Sequence, residues 1–136
     1  MYPHILVPIA YGSAEKGAAA LKVADRLLDD GGRVTLLHVQ ETVPSYVENY
    51  VPADVLEKNR KAVEAELGAL ALQSKQTVET AIVAGSVSHT IVEYAENHKV
   101  DCIVIASHRP EIADYLLGST AAWVARHASC AVHILR

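Results

Sequence analysis

Five short runs rich in valine and isoleucine alternate with four stretches of helical spacing, and this alternation constrains the chain more than any other feature. The runs are His4–Ile9, Arg33–Val39, Val78–Val83, Asp101–Ala106 and Ala131–Leu135. They are nearly continuously apolar, which is how strands covered on both faces read. In the first stretch between them, Ala14, Ala18, Leu21 and Leu28 share one helical face, with Ser13 as N-cap and Gly31-Gly32 as the stop. Leu56, Val63, Leu67 and Leu70 form the second such set, Val87, Ile91, Tyr94 and Ala95 the third, and Leu117, Ala121, Val124 and Ala128 the fourth. The order β-α-β-α-β-α-β-α-β implies right-handed crossovers. The expected fold is therefore α/β and Rossmann-like: a single domain, residues 1–136, with a five-stranded parallel sheet flanked by helices on both faces. A chain of 136 residues is long enough to bury a core of that kind.

Composition narrows the function. The net charge is −4 with histidine neutral, which argues against a general attraction to nucleic acid or to an acidic membrane. Lys58, Arg60 and Lys61 are interleaved with acids and form no basic stripe. The opening MYPHILVPIAYG has no basic leader and an apolar run too short to span a bilayer, so a cytoplasmic protein is expected. Cys102 and Cys130 sit in apolar surroundings outside any CxxC pair, as buried reduced thiols do.

In an open doubly wound sheet, ligands bind beyond the carboxyl ends of the strands, where the winding reverses. Two connections have the character to flank such a crevice. One is Pro8-Ile9-Ala10-Tyr11-Gly12-Ser13; the other runs from Ser107 to Thr120, within ASHRPEIADYLLGST. Gly118, Ser119 and Thr120 would bring amides and two hydroxyls to one anionic group at a helix start. The same tripeptide is also an ordinary capping sequence, so both readings stand at this point.

The pieces HILVPIAYGS, VTLLHV, GSVSHTIVEYA and CIVIASHRP…LLGSTAAWVARHASCAVHILR resemble the universal stress proteins of the UspA type over essentially the whole length. The run ASHRP…YLLGS is similar to a single-domain F-type bacterial branch. Many members of the family carry two spaced glycines followed by Gly-Ser or Gly-Thr and bind ATP. Here Ala106 and Arg109 stand at the two glycine positions, and the gap to Gly118 is one residue shorter. Ala10 replaces the aspartate that usually follows the first strand, where it contacts the nucleoside. The resemblance implies a stress-response sensor or regulatory module that binds an adenine nucleotide: ATP, with AMP or ADP as alternatives, and Mg²⁺ beside a triphosphate. It places Pro8, Ile9 and Ala10 beside the nucleoside, the Val39 backbone at the adenine edge, and Ile105 and Ala106 as the floor. Ser107, His108, Arg109, Gly118, Ser119 and Thr120 would surround the phosphates. The Arg109 guanidinium blocks a close backbone approach, yet it can itself bind phosphate through two hydrogen bonds.

No catalytic machinery is expected. The seven histidines form no HxH, HxxxH or Cys/His cluster, which points to structural roles rather than metal ligation. Glu111 and Asp114 are either Mg²⁺ ligands or solvated acids near a helix start. GxSxG and GxxxxGK[ST] are both missing, which leaves slow ATP hydrolysis as the most an enzyme reading would claim. An alternative is a stress protein that binds no nucleotide and works through unidentified protein partners, using the loop Gln40–Asp54. The last strand, CAVHILR, is a sheet edge needing cover, and the resemblance implies an antiparallel pairing of two such strands in a homodimer, or a larger assembly built on it.

Overall fold

A computed structural model describes residues 1–42, 50–107 and 117–136. Its strands are β1 (Tyr2–Pro8), β2 (Leu28–Gln40), β3 (Thr77–Ala84), β4 (Cys102–Ala106) and β5 (Ala131–Leu135). The helices among the described residues are α1 (Ala14–Leu27), α2 (Ala53–Ala71), α3 (Val87–Asn97) and α4 (Ser119–His127). All strand pairs are parallel, in the order β3-β2-β1-β4-β5. The chain winds outward from β1 in one direction and from β4 in the other, so the reversal falls between these two central strands.

Alternation along the strands divides the core in two. Ile5, Val7, Val34, Leu36, Cys102 and Val104 face α1 and α2, where Ala20, Leu21, Ala24, Val63, Leu67 and Leu70 close the layer. Leu6, Leu37, Val39, Ile103 and Ile105 face α3 and α4, meeting Ile91, Val92, Ala95, Ala121 and Val124. Sheet residues at i and i+1 thus serve opposite layers, and this is why the central strands read as unbroken apolar runs. Each fully buried leucine or isoleucine contributes about 1.5–3 kcal/mol relative to exposure. At the two edges, β3 and β5 are largely half-buried or exposed. Where α3 and α4 meet, Trp123 stacks on His127 with ring centroids 3.9 Å apart, and His89 approaches the indole edge-on at 6.0 Å.

Three details depart from the sequence expectation. First, α1 ends at Leu27, and Leu28 opens β2 by pairing with Tyr2 instead of continuing the helix. Second, Gly31-Gly32 therefore lies within the strand, at the break in register between Tyr2 and His4. Gly31 has φ +78°, and a Cβ on Gly32 would stand 2.7 Å from the Pro3 carbonyl oxygen, so the pair permits an irregular strand start rather than stopping a helix. Third, Leu56 is 45% exposed, because the buried face of α2 begins only at Val63.

The amino ends of the strands are tied together. The His4 N–H donates to Asp101 Oδ2 (3.0 Å), and the Asp101 N–H donates to the His4 carbonyl (2.9 Å). The buried His4 ring lies 3.3 Å from the His98 carbonyl through Nδ1 and 2.9 Å from Thr35 Oγ1 through Nε2. The Arg33 Nη2 lies 3.5 Å from the same Nδ1, so that nitrogen stands between a carbonyl, which only accepts, and a guanidinium, which only donates. Burial, and then the nearby Arg33 charge, hold the imidazole below its usual pKa, which keeps it neutral in this network.

Candidate functional site at the carboxyl ends of the strands

Beyond the carboxyl ends of β1, β2 and β4 a cleft of about 330 Å³ opens at the point where the winding reverses. Pro8, Ile9, Ala10 and Tyr11 form its side along the first loop, and Leu37, His38, Val39 and Glu41 come from the end of β2. Ile105 and Ala106 come from β4, Val87 and Ile91 from α3, and Thr120 from the first turn of α4. The volume is within the range of small-molecule sites, and a mostly aliphatic lining with a few polar groups is their usual composition.

Local hydrogen bonds hold these walls. The Ile9 N–H donates to the Leu37 carbonyl (2.8 Å), extending the β1–β2 ladder one residue past the strand. His38 Nδ1 donates to the Ile9 carbonyl (3.0 Å) and braces the same loop from the side. A turn brings the Ser13 N–H to the Ala10 carbonyl (3.3 Å), and the Gly12 N–H reaches Glu66 Oε2 on α2 (3.2 Å). On the opposite side, the Ser107 N–H donates to the Leu135 carbonyl (2.7 Å), and the Ser107 hydroxyl accepts the Gly118 N–H (2.9 Å). Ser107 thus clasps the two ends of the connection between β4 and α4.

Of the residues singled out by sequence, Pro8, Ile9, Ala10, Val39, Ile105, Ala106 and Thr120 line the cleft together. Ser107 and Gly118 are joined by the clasp, and Ser119 opens α4 and is exposed. His108 and Arg109 lie outside the described residues, as do Glu111 and Asp114. Gly118 has φ −61°, a conformation open to any residue, so its backbone does not demand glycine. Among the described residues only Lys99 combines a side chain with positive φ, so alanine at 106 costs no backbone strain. Tyr11, Leu37, His38, Glu41, Val87 and Ile91 also line the cleft; the sequence reading puts Tyr11 in the first crevice-flanking loop and Glu41 in the loop Gln40–Asp54 but gives none of the six a ligand role. The helix spacing of Val87 and Ile91 gave their buried face but not the cleft it borders.

Glu41, Val87 and Thr120 also border a second, more polar recess of about 390 Å³, completed by Thr42, Gly85, Ser86 and Ser88. Among the described residues no group of three or more His, Cys, Asp or Glu is placed to hold a metal ion. Cys102 is buried and Cys130 half-buried, both as free thiols. Burial pushes the Cys102 thiol up to about 11 and raises that of Cys130, so neither is poised as a thiolate nucleophile. No helix among the described residues is long and apolar enough to cross a membrane.

The sequence profile of the universal stress protein family matches residues 1–136, the full length of the chain. The chain belongs to the universal stress protein family. Universal stress protein G of Shigella flexneri is 32% identical over 142 residues, covering all of both chains. That relative carries the G designation, whereas the loop-based resemblance was to the F-type branch. Among solved structures, the universal stress protein UspA from Lactobacillus plantarum superimposes with a TM-score of 0.74 at 26% identity, over 99% of this chain and 98% of its own. A universal stress protein in complex with cAMP matches with a TM-score of 0.71 at 24% identity, over 99% and 97%. These likenesses agree with the parallel five-stranded universal stress protein fold derived above.

Proposed function

We propose that this universal stress protein binds an adenine nucleotide, ATP in the first place and AMP or ADP as alternatives, and acts as a regulatory module in a cytoplasmic stress response. The observation that carries the reading is the cleft itself. Its aliphatic lining, from Pro8, Ile9, Val39 and Ile105, suits a nucleoside, and it adjoins the start of α4 at Thr120. The first amides of a helix have no intrahelical partner and point outward with the positive end of the dipole, which suits phosphate. The Ser119 and Thr120 hydroxyls add donors there. A similar fold is described with cAMP, but at 24% identity that likeness speaks for the fold, so the case rests on the cleft and on family membership.

The direct test is to denature freshly purified protein, identify any released nucleotide, and titrate the emptied protein with ATP and Mg²⁺ by calorimetry. Near-stoichiometric ATP, or micromolar binding, is the expected result. Released nucleotide in trace amounts only, together with no heat up to millimolar ATP, would overturn the reading.

The same proposal includes a homodimer. Among the described residues β5 hydrogen-bonds to β4 along one side only and closes the sheet at that edge, with Ala131 and His133 exposed. Antiparallel pairing of two β5 strands would satisfy both edges at once. Light scattering on the eluted protein should give twice the 14.6 kDa chain mass. The Val132 N–H faces the free edge, because the Leu135 and His133 backbone groups are turned toward β4, so Val132→Pro should return the monomer mass.

A further inference from the structure

We infer that Glu41 sets which way round a ligand lies in the cleft and selects ligands carrying a hydrogen-bond donor at the β2 side. The inference rests on the nucleotide reading above and adds to it a specificity residue. Glu41 supplies the only carboxylate among the described residues that line the cleft. It follows directly on β2, and its position borders both the apolar cleft and the polar recess beside it. Among the described residues no hydrogen bond or ion pair ties its side chain to a neighbour. The Arg60 and His89 side chains pair instead with Glu64 and Glu93.

A carboxylate repels phosphate and, being ionised, only accepts hydrogen bonds. Of the groups suited to phosphate, Ser107 and Gly118 are clasped together at the end of β4, while Thr120 reaches across to border the recess that Glu41 shares. In the sheet β1 separates β2 from β4, so the two sides stand two strand spacings apart, on the order of 10 Å. A ligand with its phosphates toward the Ser107–Gly118 clasp therefore brings its uncharged end to Glu41. That end gains most when it carries N–H or O–H groups, which for an adenine nucleotide means the ribose hydroxyls or the exocyclic amine. A charge-assisted hydrogen bond of this kind is roughly twice as strong as a neutral one.

The test is calorimetry of wild type and Glu41→Ala with three ligands: ATP, 2′-deoxy-ATP and inosine triphosphate, which lacks the exocyclic amine. Glu41 is exposed at a strand end, so thermal unfolding of Glu41→Ala should match wild type. The variant should bind ATP about tenfold to a hundredfold more weakly, the factor a charged hydrogen bond commands. The loss should disappear for 2′-deoxy-ATP if the sugar is the donor, and for inosine triphosphate if the amine is. Wild-type binding of ATP with Glu41→Ala equally tight or tighter would overturn this inference and leave the nucleotide reading intact. A wild-type protein that binds no ATP would overturn both.

Discussion

At one end of the sheet His4 bonds to Thr35, to Asp101 and to the His98 carbonyl, whereas at the carboxyl ends Tyr11, Glu41 and Thr120 border an open cleft. Both ends of a parallel sheet present strand termini and helix termini, so both must satisfy polar backbone groups. One end does so internally and becomes a structural tie. The other pins its walls through His38, Glu66 and Ser107 and leaves the space between them open. A ligand site therefore requires bracing around a gap as well as polar groups.

This contrast can be broken from either side. The largest expected effect is on the tie. His4→Ala removes the hydrogen-bond partner of the buried Thr35 hydroxyl and should cost on the order of 2–3 kcal/mol of stability. Urea unfolding measures the loss, and ATP affinity should stay unchanged; a drop in affinity equal to that of a cleft variant would end the division of labour. Next in size, Gly118→Val places a branched side chain at the helix start. It should weaken ATP binding about a hundredfold, near 2.8 kcal/mol, and, because Gly118 is buried, lower stability by about 1–3 kcal/mol. Ser107→Ala opens the clasp by removing the acceptor of the Gly118 N–H and should lower stability by about 1 kcal/mol in the same urea assay.

The smallest effect is pH dependence at the amino end. The folded pKa of His4 lies below its ordinary value near 6.5, so the unfolded chain takes up the proton more readily. Its contribution to stability is complete above pH 6.5 and declines as the pH falls toward and through the folded value. Unfolding midpoints measured from pH 7.5 down to 5.5 should show the decline, and His4→Gln should flatten it.

Most of this architecture was legible in the chain. The apolar runs marked all five strands, and all but β2 matched to within two residues at each end. Periodicity and structure part where one segment fits two elements. Leu28 fits the helical face of α1, but its pairing with Tyr2 draws it into β2, a tertiary contact that periodicity does not carry. Leu56 has the right spacing for a buried face yet belongs to a helical end that covers nothing. At the site, resemblance supplied the residues next to the two loops, and seven of them line the cleft. Tyr11 and His38 fall inside the stretches HILVPIAYGS and VTLLHV, yet neither they nor Glu41 received a ligand role; they reach the cleft through the neighbouring strand and the turn that follows β1. Arg109, to which the sequence reading gives both a blocking and a phosphate-binding role, lies outside the described residues.

The stacked Trp123 has a practical consequence. It is the single tryptophan of the chain and stands three residues after Thr120, about 4.5 Å along the α4 axis. The protein thus has a built-in optical reporter one helical turn from the cleft, with its emission already conditioned by the imidazole lying against it. Ligand entry that shifts the start of α4 should change this emission and saturate at the affinity found by calorimetry, while Gly118→Val should give a flat trace. Occupancy would then be readable without a label, in dilute solution and on the timescale of mixing.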